Sequence, residues 1–335
     1  MNRLSVGKLP PEMLRRLLSA LPRRDPRVRL GPQIGHDAAV IDFGEVCLVA
    51  KSDPITFATD EIGFYAVNVN ANDIFCHNAL PRWFLATVLL PEHAPPALAQ
   101  SIFEQIARAC DELEVALVGG HTEVTHGLDR PIVSGHMLGE VERERLVAPA
   151  GLRPGDAIVL TKGVPLEGVA IIARERGEEL VRRGVASEEV ERFTRYLHEP
   201  GISVAREARA LRDLPGLAAL HDPTEGGVAT ALWELAQAAG VGLDIDAQAI
   251  PLVPGAERAC AAFGLDPLGT ISSGALLVGL RPHALDEALA RLCAAGVVAA
   301  HIGFAVDKAA GVTWRRAGRR EPIPVFPSDE IARIF

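Results

Sequence analysis

Asp37, Asp53 and Asp73 occur in "GHDAAV", "SDPIT" and "VNANDIFCHNALP", three segments separated by apolar runs. Mg²⁺ takes one or two carboxylates together with phosphate oxygens and water, and acids from distant segments can converge on such an ion. A Mg-phosphate site accounts for the three acids together better than three separate backbone caps do. Asp73 carries a constraint of its own. At 100° per residue over residues 61–81, Ile62, Tyr65, Ala66, Val69 and Cys76 share an arc of about 100°, the width of a core-facing stripe. Asp73 projects into that arc and Asn72 lies at its edge. A carboxylate there needs a metal, a cation or several backbone donors; all three partners remain open.

Glycines offer a second kind of chemistry. "LVGGHTEVT" (117–125) ends a strand in Gly119 and Gly120, where backbone amides approach a ligand with no Cβ in the way. His121 and Glu123 follow as candidates for a metal or substrate contact and a general base, although "HTEVTH" has no zinc spacing. In "LHDPTEGGVATAL" (220–232), Asp222 ends a strand, Thr224 is a candidate N-cap, and Gly226 and Gly227 open a helix whose free amides suit an anion or a close packing contact. "LTKGVPLEGVAI" (160–171) places Lys162 after a strand, where it meets either a phosphate or solvent. The chain has no Walker loop, nucleophile elbow, Cys-x-x-Cys pair or dinucleotide fingerprint.

Helices are predicted over "PPEMLRRLLSAL" and "APPALAQSIFEQIARACDEL", and strands over "EVCLVA", "VALVGG" and "PIVSGHMLGEV". Within residues 35–57 a glycine turn leads into a single buried strand that stops at Ser-Asp-Pro, with Asp37 and Asp53 at its two ends. Pro and Gly in "APAGLRPGD" set a domain boundary near residue 150, giving domains 1–148 and 149–335. The second half continues with strand "AIVLTKG", a charged helical region from about 166 to 212, strand "LAALHD", helix "GGVATALWELAQAA" and strand "GLDID". A βαβ pattern over 274–306 closes an α+β domain.

The 335 residues carry 48% hydrophobic and 23% charged side chains, a globular composition long enough for two domains. A net charge of −9 argues against a nucleic-acid partner, and the arginines of "RRAGRR" read as a solvated face. Five scattered cysteines in apolar surroundings read as reduced core residues of a cytoplasmic protein. The N-terminus lacks an export signal and no run nears the roughly 18 apolar residues of a membrane span, so neither export nor a membrane partner is expected.

Taken in order, "GHDAAV", "SDPIT", "VNANDIFCHNALP", "VGGHTEV", "RPGDAIVLTKG", "HDPTEGGV" and "GLDPLGTISSGALLVG" resemble the superfamily of aminoimidazole ribonucleotide (AIR) synthetase, selenophosphate synthetase, thiamine-monophosphate kinase and the hydrogenase maturation factor HypE. The HypE branch is the most similar in its second-domain motifs. The resemblance implies a two-domain AIR synthase-like (PurM-like) fold: an N-terminal α/β domain whose sheet pairs across a homodimer, and a C-terminal ferredoxin-like α+β domain. It also implies ATP and Mg²⁺ as cofactors. Asp37, Asp53 and Asp73 would hold the metal; Asn72, Gly119, Gly120, Lys162, Thr224, Gly226 and Gly227 would line the nucleotide; Glu123, Asp222 and His121 would be catalytic.

The implied activity is HypE-like, an ATP-dependent phosphoryl transfer that activates an amide, carboxamide or similar oxygen of a small or protein-bound substrate. The alternatives are a non-catalytic nucleotide-binding assembly factor and a kinase of the thiamine-monophosphate type. Two departures accompany the resemblance. Phe335 stands where HypE proteins carry a C-terminal cysteine, so self-cyanation through a terminal thiolate is not expected. His36 and His121 occupy positions that are acidic in HypE and the thiamine-phosphate kinases, which brings the site nearer to one for a transition ion, with Mg²⁺ still the metal expected.

Overall fold

The computed structural model describes residues 9, 11–22, 25–33, 35–36, 38–56, 58–316, 318–326 and 328–335. Helix α1 (Pro11–Ser19) comes first, then strand β1 (Val28–Leu30). The predicted single strand over 35–57 is instead a hairpin of β2 (Ala39–Asp42) and β3 (Val46–Ile55), with Ala39 opposite Ala50. The reversal is local chemistry: the Asp42 carboxylate accepts the Gly44 amide at 2.8 Å, and Gly44 adopts φ +99°, a conformation that favours glycine. Asp53 therefore sits inside the ladder opposite Gly135 rather than beyond a strand end. Asp37 lies outside the described residues.

Helix α2 (Ile62–Phe75), β4 (Leu80–Pro91), α3 (Pro96–Leu113), β5 (Ala116–Thr125) and β6 (Ile132–Glu142) complete the first layer pair. The sheet runs β1-β2-β3-β6-β4-β5, antiparallel except for β4–β5, whose parallel pairing requires the α3 crossover. Along β6, Val133, Gly135, Met137, Gly139 and Val141 alternate inward. The two glycines let α2 lie close, since a Cβ would stand 2.4 Å from Asn70 Nδ2 at Gly135 and 2.3 Å from Ile74 Cγ2 at Gly139. On its other side a Cβ at Gly63 would meet the Ile102 carbonyl of α3 at 2.6 Å. Helix α2 is thus buried on every face, and the single apolar stripe expected over residues 61–81 gives way to an enclosed helix.

The second sheet comprises β7 (Ala157–Thr161), β8 (Leu217–His221), β9 (Gly242–Asp246), β10 (Leu277–Leu280), β11 (Ala299–Val306), β12 (Val312–Arg316) and β13 (Arg319–Pro322). Its order is β13-β12-β9-β11-β7-β10-β8. Strands β10 and β11 flank β7, both antiparallel to it, and are joined by α9 (Leu285–Ala294), the split βαβ arrangement of a ferredoxin-like layer. The charged region from 166 to 212 is not one helical run. It breaks into α4 (Leu166–Arg182), α5 (Ser187–Arg195), a π-helical turn at Leu197–Gly201 and α6 (Ala205–Leu211), interrupted at Gly184 (φ +94°) and Pro200. Helix α7 (Gly227–Ala239) packs Val228, Leu232 and Leu235 into the core with Ile158, Leu160, Leu243 and Trp314; α8 (Ala256–Ala262) follows β9.

The described chain groups into two compact units. One contains Arg27–Gly31 and the stretch to Leu146; the other contains the residues through Pro26, Pro32–His36 and Val147–Phe335, so α1 belongs to the second. Cys47, Cys76, Cys110 and Cys260 are buried thiols, whereas Cys293 is exposed on α9 and departs from the expected core placement. Burial pushes the Cys110 and Cys260 thiols up to about 12. No helix among the described residues is long and apolar enough to cross a membrane.

Candidate functional site

Asp53 and Asp73 come together in the first unit. On β3, Lys51 and Asp53 are two residues apart and share the face that Gly135 presents to α2, the helix that carries Asp73. The Lys51 ammonium lies 3.2 Å from Asp53 Oδ2 and 2.9 Å from Asp73 Oδ2. Asp73 is almost wholly buried, with 4% of its side chain exposed, while Asp53 at 32% opens to solvent. Two carboxylates thus share one cation beside an enclosed helix. That geometry fits a divalent cation, because both oxygens already converge on a single positive group. No group of three or more His, Cys, Asp or Glu gathers among the described residues, and Asp37, the third acid expected, lies outside them.

Asn70 fixes the pair. Its Nδ2 donates to the Asp53 carbonyl at 3.2 Å and to the Ala66 carbonyl at 2.8 Å, tying α2 to β3 at the acid itself. Asn72 is fully buried on the same helix. Lys51 and Asn70 were both missed from sequence: the first because "SDP" reads as a strand stop, the second because one of three asparagines in "NVNAND" looks like any other.

His121 and Glu123 are a correction. In the ladder Asp53 pairs with Gly135, Gly135 with Ala86 and Ala86 with Gly120, so these four share the α2 face. His121 pairs with Thr87 and Glu123 with Leu89, which point the other way. Their side chains touch each other, His121 Nε2 to Glu123 Oε2 at 3.1 Å, and are 65% and 48% exposed. Within the unit they lie on the opposite face of the sheet from Asp53 and Asp73. Gly120 is required by the sheet rather than by a ligand, since a Cβ there would stand 2.0 Å from the Ala86 carbonyl; at Gly119 the nearest such neighbour is Leu85 at 3.7 Å.

The second unit holds Lys162, Asp222, Thr224, Gly226 and Gly227. Lys162 is a further correction: its ammonium contacts Glu207 Oε1 at 3.0 Å and donates to the carbonyls of Gly201 at 2.9 Å and Ser203 at 2.6 Å. All three ammonium donors are engaged in a site where the side chains are 5% and 0% exposed, so none remains for a phosphate. Burial holds the Lys162 pKa below the usual lysine value, opposed by Glu207.

Gly226 is the N-cap of α7, left-handed at φ +80°, and the Thr224 carbonyl accepts the Gly227 amide at 3.0 Å. The Gly226 amide donates to Asp329 Oδ2 at 2.6 Å, so an internal carboxylate already holds the anion position expected at this helix start. Burial pushes Asp329 up to about 6, against the bonds it accepts from Gly226 and Ile331. Gly227 is needed for packing, as a Cβ would come 2.5 Å from the Leu268 carbonyl. Asp222 is buried in the loop after β8. Nearby in sequence to Lys162, Glu167 is fully enclosed, accepts the Ser273 amide at 3.1 Å, and is pushed up to about 8 by burial.

Comparison with known proteins agrees with this architecture. The AIR synthase related protein N-terminal domain matches residues 35–141, and the corresponding C-terminal domain matches residues 153–315. The carbamoyl dehydratase HypE of Rhodobacter capsulatus is 32% identical over 287 residues, covering 84% of this chain and 81% of that protein. A putative hydrogenase expression/formation protein of Methanocaldococcus jannaschii is 27% identical over 315 residues, 91% of this chain and 90% of the relative. The solved structure of hydrogenase maturation protein HypE in complex with ATP superposes with a TM-score of 0.73 at 25% identity, over 95% of this chain and 96% of that one. With both domains matched in order and a relative above 30% identity along most of its length, the chain belongs to the AIR synthase-related family, with HypE proteins among its relatives.

Proposed function

We propose that this protein is an ATP-dependent enzyme of the HypE-like type, which activates an amide or carboxamide oxygen by phosphoryl transfer. The observation that carries the reading is the convergence of Asp53 and Asp73 on one cation at the edge of a buried helix. Relatives named carbamoyl dehydratase and a related structure holding ATP support it. Asp53 and Asp73, with Asp37 as the third expected acid, would hold Mg²⁺ on the nucleotide. When bound, the metal neutralises phosphate charge as it develops. Asn70 keeps the two acids in register.

In the transfer itself the substrate oxygen attacks the γ-phosphorus, the bond from that phosphorus to the bridging oxygen breaks, and ADP leaves with the electron pair. The phosphorylated oxygen is then a leaving group that departs as phosphate when an N–H proton is lost or a nucleophile enters. Little covalent chemistry is asked of the protein, and positioning and charge carry the rate.

The acceptor partner is proposed as a small or protein-bound carboxamide, and the quaternary partner as a second copy of this chain. Strand β5 is an edge exposed nearly along its length, and Leu48, Leu85, Leu89 and Leu138 lie on the sheet face away from α2. A second sheet laid there would bury them. Val118→Asp on β5 is expected to shift the light-scattering mass toward a monomer.

The activity is tested by ADP release from Mg·ATP across a panel of small carboxamides, wild type beside Asp73→Asn. Carboxamide-dependent release that disappears in the variant supports the reading. Nucleotide binding with no release for any small carboxamide overturns a small-molecule acceptor; release that depends on thiamine monophosphate makes it a kinase.

A further inference from the structure

Lys51 has no role in the proposed chemistry, yet it is the cation around which Asp53 and Asp73 are arranged. Its ammonium stands 3.2 Å and 2.9 Å from one oxygen of each, and its side chain is 19% exposed, so it has a route outward that a sealed lysine lacks. A divalent cation bound to both oxygens cannot share that space with an ammonium at van der Waals distance. A metal on those two oxygens would take the place of the ammonium.

We propose that Lys51 is a resident counter-ion and a specificity-determining residue. It lies between the two carboxylates when no metal is present, and it must move outward when a metal enters. The inference rests on the reading of Asp53 and Asp73 as the nucleotide's metal site.

Its consequence is selectivity. Free metal ions compete against a tethered positive charge and bind weakly. A metal–nucleotide complex brings a cation for the carboxylates and an anion for the displaced ammonium in one ligand, so the site responds to the complex rather than to the free ion. Neither acid has to change its charge for this exchange. Asp73 is buried on α2, where a nearby positive charge lowers the cost of an ionised carboxylate.

The test uses Mn²⁺ as the probe, with unbound ion read by electron paramagnetic resonance. Wild type, Lys51→Gln and Lys51→Gln/Asp73→Asn are titrated with Mn²⁺ alone and with Mn·ATP. Removing a unit charge within about 4 Å of both ligands is expected to lower the dissociation constant for free Mn²⁺ at least about tenfold in Lys51→Gln. The double variant is expected to lose that gain. Mn·ATP affinity is expected not to improve alongside it, because the complex loses its ammonium partner.

Equal or weaker free Mn²⁺ binding by Lys51→Gln, while wild type still binds Mn·ATP, overturns this inference and leaves the metal site standing. Failure of wild type to bind Mn·ATP overturns the metal site itself. Should Lys51→Gln unfold without metal, its melting temperature in Mn²⁺ against EDTA replaces the titration. A rise larger than that of wild type supports the exchange, and an equal or smaller rise overturns it.

Discussion

Both units bury a lysine against a carboxylate, and the two sites differ in stoichiometry. Lys162 meets one acid and two carbonyls, every ammonium donor is engaged, and nothing is open to solvent. Lys51 meets two acids, and Asp53 is partly open. A one-to-one sealed pair is a staple between segments, here tying the turn after β7 to α6. A cation shared between two carboxylates, one of them open to solvent, is placed to be exchanged for another. Counting partners and exposure separates the two where residue type alone does not.

The largest effect is expected from breaking the staple. Lys162→Met leaves Glu207 buried without its cation, at a cost of about 3–5 kcal/mol in urea unfolding, and metal binding by the folded fraction should be unchanged. A loss below about 1 kcal/mol would remove the distinction between the sites.

Asp329→Asn probes the other internal anion. The wild-type carboxyl titrates at about 6 when folded, above its ordinary value, so folding favours the protonated form. The stability it contributes is therefore complete below the ordinary carboxylate range and lost as pH rises through about 6. Between pH 4 and pH 7.5 wild type should lose about 3 kcal/mol relative to Asp329→Asn, an order-of-magnitude figure for a shift of roughly two pKa units. Parallel pH profiles for the two proteins would mean that the carboxyl is not held in this buried state.

The smallest effect is expected from the far face of the first sheet. His121→Ala and Glu123→Ala should alter stability by less than about 0.5 kcal/mol and leave Mg·ATP binding to a given protomer unchanged, read by calorimetry. A tenfold loss of affinity in either would place that face at the nucleotide and undo the face assignment.

Much of the fold was legible because its signals are local. The α3, α7 and α9 helices and strands β5 to β11 follow from periodicity and glycine punctuation. The carboxylates Asp53 and Asp73 were legible because charge in an apolar segment needs an explanation. What escaped depends on partners distant in sequence. The face on which His121 falls is set by counting across β6 and β4, and strand order is not written in the strands. The Gly226 amide is taken by a carboxylate 103 residues away. Lys51 was hidden by ending β3 at Ala50; extending the alternation through Ser52 puts it beside Asp53.

The central claim is that Asp53 and Asp73 form one cation site serving a nucleotide. Calorimetric titration of ATP into wild type, Asp53→Asn and Asp73→Asn, each with Mg²⁺ and with EDTA, tests it most directly. The account predicts wild-type binding that requires Mg²⁺ and falls at least about tenfold in both variants, with unfolding still cooperative. Undiminished binding in either folded variant, or wild-type binding of equal strength in EDTA, would contradict it.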